Sequence, residues 1–239
     1  MKNLENKKFW DKSTKLLVFS NIITIIFALL EGWNLNNVLW VYWFQSVIIG
    51  YFNYKRILKL ENFTTENFTI DNQPVSPTEK SKKQVADFFL MHYGFFHLIY
   101  FIFLVGISSS SFNNYLGFSL AIGTLSFIAS IFTFYYNHKT SFETNYQEDL
   151  RGKVNIGTLM FMPYARIIPM HLIIIFAGNF TSSNINIYLN SITVPIFSTL
   201  TMLFFLSLKT IADVIMHKVE HNYLRKNIAE GSPEMVIKN

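Results

Sequence analysis

The stretch VADFFLMHYGFFHLIYFIFLVG, Val85 to Gly106, decides the fold. It carries one formal charge, Asp87, near its start, and is otherwise apolar apart from His92 and His97. A hydrocarbon core about 30 Å thick needs roughly 20 helical residues, and this run supplies them. Five other runs do the same: Leu16–Trp33, Val38–Leu58, Leu116–Tyr136, Gly157–Gly178 and Ile192–Met216. The expectation is an all-α fold: a polytopic membrane helical bundle of six transmembrane helices, one domain over residues 1–239.

Composition agrees. Of 239 residues, 51% are hydrophobic and 17% aromatic, and only 15% are charged, where a soluble domain carries about 25%. The mean hydropathy is +0.27. There is no cysteine, which excludes disulfides, thiolate metal sites and cysteine nucleophiles. The formal charge of +5 does not point to nucleic acid, because Lys and Arg cluster in short segments between the apolar runs.

Those segments set an orientation. The N-terminal tail holds Lys2, Lys7, Lys8, Lys12 and Lys15. The second connector holds Lys59, Lys80, Lys82 and Lys83, with Lys55 and Arg56 just before it. The fourth holds Lys139, Arg151 and Lys153, and the C-terminal tail Lys218, Arg225, Lys226 and Lys238. The alternate connectors, EGWNLNN, SSSSFNN and NFTSSNINIYLN, hold neither Lys nor Arg. By the positive-inside rule both termini are cytoplasmic, residues 59–84 form a flexible cytoplasmic loop and residues 222–239 a cytoplasmic tail. The first run follows lysines as a signal peptide would, but no small-residue cleavage motif follows it, so it is expected to stay as a span.

Some residues read as packing. Ser46 with Gly50, Gly117 with Ala121, and Ser126 with Ser130 are small pairs at four-residue spacing, suited to close helix approach. The fourth span has no charge and reads as structural. Trp33, Trp40, Tyr42 and Trp43 read as one interfacial aromatic belt, and Tyr54, Tyr135 and Tyr136 as the other.

Other residues are too expensive to be packing. Asp87, Arg166, Lys209 and Asp213 are ionisable groups inside spans, each costing roughly 2.5–3.5 kcal/mol at the centre of a lone helix. Lys209 can pair with Asp213 one turn on, and Asp87 with Arg166 across helices. In SLKTIADVIMHKVEH, Ser207 to His221, Lys209, Asp213, His217 and His221 recur every fourth residue and fall along one helical stripe. His221 falls beyond the membrane. His92 and His97 stand about 140° apart on a helix and so flank a site rather than share a face. His171 follows Arg166 on the fifth span. In MPYARIIPMH, Pro163 and Pro169 bracket Arg166 and free the carbonyls of Leu159 and Ala165, four residues back. Gln45 and Asn53 on the second span lie at matching depth. His138 reads as a loop residue with no role. The site expected is a buried polar group between helices 3, 5 and 6: Asp87, His92, His97, Arg166, His171, Lys209, Asp213 and His217.

The motifs VYWFQSVIIGYFN, MHYGFFHLIYF, MPYARIIPMHL and LKTIADVIMH resemble an uncharacterised prokaryotic family of polytopic membrane proteins, a domain of unknown function. The resemblance runs from Val41 to His217 and implies that His92, His97, Arg166, His171, Lys209, Asp213 and His217 belong to the family pattern. It departs at Gln45, where the family more often has an acidic residue. It implies no activity.

Three functions fit these residues. Mid-depth charge pairs and histidines suit proton- or ion-coupled transport. His92, His97, Asp213 and His217 could instead hold a divalent metal, zinc or iron, in a hydrolase-like intramembrane enzyme, although no HExxH motif occurs. Paired histidines also suit haem without being diagnostic of it. Alternatively the polar groups form a satisfied network in a structural or sensor subunit without catalysis. The expected partners are the lipid bilayer and, in a homo-oligomer, further copies of the chain, with no nucleic acid. The expected location is the plasma (inner) membrane, multi-pass.

Overall fold

The computed structural model describes residues 12–33, 35–70, 72–111, 119–150, 152–182 and 193–231. It is all-α in architecture, with six helices among those residues: α1 (Lys12–Leu30), α2 (Leu35–Leu58), α3 (Glu79–Ser111), α4 (Ser119–Asp149), α5 (Ile156–Ser182) and α6 (Thr193–Gly231). Four two-residue strands complete it: β1 (Phe63–Thr64), β2 (Thr69–Ile70), β3 (Gln73–Pro74) and β4 (Val154–Asn155). One helical stretch among the described residues, Glu79–Gly106, is long and apolar enough to cross a membrane. Thr14–Leu30 and Ile156–Ile168 are shorter apolar helices.

Helix α2 is the hub. Helices α3, α4, α5 and α6 pack on it, and α1 closes the group between α4 and α6. The α2–α3 contact is close because Gly50 has no side chain: the Tyr93 ring lies where its Cβ would stand. The Tyr93 hydroxyl then donates to the Ser46 carbonyl at 2.9 Å. The small pair Ser46 and Gly50 thus admits the neighbouring helix. Gly117 lies outside the described residues, as does the Ala121 side chain.

Around an apolar core, many large apolar side chains also face outward, and several charged ones are buried. Phe19, Ile26 and Leu30 on α1, Met91, Phe95 and Ile102 on α3, and Leu125 and Phe132 on α4 are exposed. Asn21, Gln45, Arg56, Asp149, Arg166, Lys209, Asp213 and His217 are buried.

Three boundaries differ from the sequence reading. Helix α3 begins at Glu79, so Lys80, Lys82 and Lys83 belong to its first turns rather than to a loop. Thr78 and Ser81 cap that start: the Ser81 N–H donates to Thr78 Oγ1 at 3.2 Å and the Thr78 N–H to Ser81 Oγ at 3.0 Å. Helix α4 runs to Asp149, which makes His138 helical. Helix α6 continues to Gly231, so most of the expected tail is helical, and residues 232–239 lie outside the described residues.

The connector after α2 is not a plain loop. Its β1 pairs in parallel with β4, Phe63 opposite Val154, and β2 pairs antiparallel with β3. Leu60 and Phe63 are buried in the main core. Lys82 spans the segment, donating to the Leu60 carbonyl at 2.8 Å while pairing with Glu79 at 2.7 Å. Asn67 and Asn72 take positive φ of 57° and 61°, the left-handed conformation that asparagine tolerates in tight turns.

Candidate polar site

The stripe Lys209, Asp213 and His217 on α6 faces the interior, and all three residues are buried. Lys209 Nζ lies 2.8 Å from Asp213 Oδ2. Asn21 of α1 closes a triangle with them. Its Oδ1 accepts from Lys209 at 2.6 Å and its Nδ2 donates to Asp213 at 3.1 Å. A carboxamide can do both because it presents an acceptor and a donor side by side. Lys209 Nζ also sits 5.3 Å from the Tyr42 ring centre and 5.1 Å from that of Phe134. A desolvated cation over an aromatic face gains about 2 kcal/mol or more.

Arg166 stands on α5 beside this triangle. Its Nη1 donates to His138 Nε2 at 3.2 Å. His138 Nδ1 faces the Phe134 carbonyl at 3.3 Å, which fixes the proton on Nδ1 and leaves Nε2 as the acceptor. The His138 ring stacks on Phe134 with centres 4.1 Å apart. Phe134 therefore carries Lys209 and His138 on one ring and joins the two halves of the site. Tyr42 donates its hydroxyl to the Arg166 carbonyl, tying α2 to α5.

The prolines of α5 have a visible consequence. Pro163 cannot donate to the Leu159 carbonyl, and Asn53 Nδ2 of α2 donates to it instead at 3.2 Å. A break in the helix ladder becomes an interhelical hydrogen bond.

Two cavities lie against these residues. The larger, about 60 Å³, is bordered by α1, α2, α4, α5 and α6. Its polar lining among the described residues is Asn53, Arg56, Asn137, His138, Ser141, Asn145, Arg166 and His217. The smaller, about 10 Å³, lies between α1, α2 and α6 against Asn21, Tyr42, Gln45 and Lys209. Below the larger cavity, Arg56 and Asp149 form a buried two-point ion pair: Nε to Oδ2 at 2.6 Å and Nη2 to Oδ1 at 2.8 Å. Such forked geometry is the strong form of a charge-assisted bond.

Several expectations need correction. The polar group is built by α1, α2, α4, α5 and α6; α3 packs on α2 and α5 and borders neither cavity. Asp87 is exposed on α3, away from Arg166, which donates to His138. His92 is also exposed, its Nδ1 2.9 Å from the Tyr164 hydroxyl. His171 is exposed too, 2.9 Å from the Tyr100 hydroxyl. His97 is buried, but it packs on Tyr93 and Trp43, with its Nδ1 2.8 Å from the Tyr93 carbonyl. The reason is angular: the inward face of α3 is taken by Tyr93, His97 and Tyr100, which turns Asp87 and His92 away from it. The metal set His92, His97, Asp213 and His217 does not converge. Among the described residues no group of three or more His, Asp or Glu side chains is arranged to hold a metal ion. Tyr42 is buried beside Lys209 rather than part of an interfacial belt. Helix α4, read as purely structural, supplies Asn137, His138, Ser141, Asn145 and Asp149. Arg56, read only as a topology charge, is buried. The His221 side chain lies outside the described residues.

Asn21 and the α4 residues had weak signals. Asn21 is the one carboxamide in the apolar stretch from Leu16 to Leu30, beside Ser20 and Thr24. Asn137, Ser141 and Asn145 recur every fourth residue, but beyond the apolar part of their run, where polarity reads as the end of the span.

The model of a family of unknown function, DUF6498, matches residues 3–230, and the chain belongs to that family. No curated protein and no solved structure matches the chain.

Proposed function

We propose that this member of DUF6498 is a polytopic membrane protein whose larger internal cavity receives a small polar solute, in the manner of a carrier or proton-coupled permease. The outward apolar faces and the buried charges carry the membrane reading: large apolar residues face outward on the helices while Arg56, Asp149, Arg166, Lys209 and Asp213 are buried, a costly arrangement in water and a favourable one in lipid. The alternation of Lys- and Arg-bearing connectors supports six spans with both ends cytoplasmic. The cavity supports the solute reading. It is bordered by five helices and lined by two arginines, two histidines and three carboxamides. Intramembrane ionisable groups facing a cavity are typical of substrate and ion paths.

The Asn21–Lys209–Asp213 triangle supports a division of labour. Its three side chains bond one another across α1 and α6, with Asp213 Oδ1 left without a hydrogen bond among the described residues, so it serves as a lock holding α1 on α6, while the larger cavity serves the solute. Among the described residues the donor geometry gives the metal-dependent enzyme no support.

The test is flux. Protein reconstituted in liposomes should pass a small polar solute or protons faster than protein-free liposomes, and Arg166→Gln should abolish the difference. Equal flux with and without protein across charged and neutral polar solutes would retire transport.

A further inference from the structure

We infer that the larger cavity is a vestibule entered from the cytoplasmic side, and that the Arg56–Asp149 ion pair between α2 and α4 is the gate at its mouth. The inference deepens the carrier reading above and rests on it and on the same six-span topology. Three observations carry it.

The first is where the lining residues stand on their helices. Leu17 lies close to the start of α1 at Lys12. Arg56 lies beside the end of α2 at Leu58, and Asn145 one turn before the end of α4 at Asp149. His217 directly follows the apolar run of α6, which closes at Met216. Arg166, the deepest of them, is about 15 Å from the start of α5 at Ile156, half of a hydrocarbon core about 30 Å thick. Each helix thus brings the same end to the chamber. It is the end whose connectors and tails carry Lys and Arg, and which the positive-inside rule puts in the cytoplasm.

The second is what stands at the mouth. Helix α4 runs past its apolar part, and Asn137, Ser141 and Asn145 line the chamber from that extension. Asp149 follows on the next turn, where Arg56 of α2 meets it through two bonds, at 2.6 and 2.8 Å. Both residues are buried. One turn further in on α2, Phe52 packs on Phe142 with ring centres 5.5 Å apart. One turn further out, Lys59 Nζ lies 5.5 Å from the Phe142 ring centre and 4.9 Å from that of Tyr146. Charge and ring contacts therefore close the α2–α4 seam at this end.

The third is energetic. Asp149 is the last residue of α4, and a carboxylate at a helix C-terminus opposes the helix dipole. The Arg56 guanidinium offsets that repulsion. A buried ion pair regains hydration when water reaches it, so its closed and open forms lie close in free energy. Helix ends also open locally at the least cost. A contact with these properties can alternate between two states, as a gate must. The Asn21–Lys209–Asp213 triangle, set deeper on α1 and α6, stays closed while the pair opens.

The experiment measures the reaction rate of one introduced cysteine in the full chain, which has none of its own. Asn137→Cys reports the chamber and Thr24→Cys the triangle. Cationic and anionic membrane-impermeant thiosulfonates are applied to intact cells and to inside-out membrane vesicles. Asn137→Cys should react from the cytoplasmic side only. Asp149→Asn and Arg56→Gln should each raise that rate about tenfold or more, by shifting a minor open form toward the major one. A mere change of local charge would move the rate for a given reagent in opposite directions in the two variants, and that pattern would overturn the gate. Exchanging the charges, with Arg56→Asp and Asp149→Arg together, should bring the rate back toward the parent. Thr24→Cys should stay unreactive throughout, which separates gate opening from unfolding. If Asp149→Asn or Arg56→Gln fails to fold, Arg56→Lys keeps the charge, loses the fork and makes the same test with a smaller rise. Reaction of Asn137→Cys from the outside would overturn the vestibule, and rates equal to the parent in the folded variants would overturn the gate. Gated labelling without flux would retire the carrier reading and leave a gated cytoplasmic chamber. Flux with ungated labelling would retire the gate alone.

Discussion

Asn21 Nδ2 donates to Asp213 Oδ2 at 3.1 Å, across 192 positions of the chain. That bond joins the first described helix to the last, and it rests on an ion pair within α6 itself. Lys209 and Asp213 are four residues apart in the weaker order, Lys before Asp. Asn21 and the rings of Tyr42 and Phe134 supply what the intrahelical pair lacks.

Removing one charge from that group should cost more than removing both. Asp213→Ala strands Lys209 in the interior, at a cost of about 3–5 kcal/mol. Asp213→Ala combined with Lys209→Met should recover most of that loss, because no charge is left buried without its counterion. Thermal unfolding in detergent reads both, and equal stability of single and double variants would show that the pair is not coupled.

A parallel cycle applies at the other end of the larger cavity. Arg56→Met takes from buried Asp149 its forked counterion and should cost about 3–5 kcal/mol, whereas Arg56→Met with Asp149→Leu should cost much less. Arg56→Lys separates charge from geometry: it keeps the cation but loses the forked contact, and should be intermediate. Unfolding midpoints of the three variants give the order, and an Arg56→Lys variant as stable as the parent would deny the two-point bond its role.

Gly50→Ala should loosen α2 from α3. The added Cβ would stand 2.8 Å from Tyr93 Cδ1 and closer still to Cε1. Tyr93 cannot retreat easily, since its hydroxyl is bonded to Ser46 and its ring stacks on His97 at 4.3 Å. A loss of about 1–3 kcal/mol is expected from the overpacking, and Tyr93→Ala in the same chain should relieve the clash. A Gly50→Ala variant melting with the parent would mean that the two helices do not meet here.

The chain has no cysteine, so single-cysteine labelling can map sidedness without background. The β1–β4 pairing places residues 63–64 and 154–155 on the same side. Lys59→Cys and Lys153→Cys should therefore react with an impermeant maleimide only after cells are opened, while Asn113→Cys should react in intact cells. Labelling of Lys59→Cys and Asn113→Cys from one side would rule out a crossing by α3.

The helices were legible because apolar length and charge spacing are properties of one chain segment, and the six runs fall within the six observed helices apart from the edges. Lys209, Asp213 and His217 were legible for the same reason: a four-residue repeat fixes a shared face before anything packs on it. Their partners were not. Asn21 is silent in the sequence until α1 lies on α6, and His138 and Asn137 carry no signal until α4 extends past its apolar part and turns them toward Arg166. Asp87 and His92 show the opposite case, ionisable groups on an apolar run that look buried until the packing of α3 turns them outward. The sequence alone determined which segments are helical, which connectors carry the cations, and that α6 presents a polar face. Only the tertiary structure decided which helices meet that face, because helix contacts depend on the shapes of both surfaces, such as Gly50 against Tyr93, and not on either segment by itself.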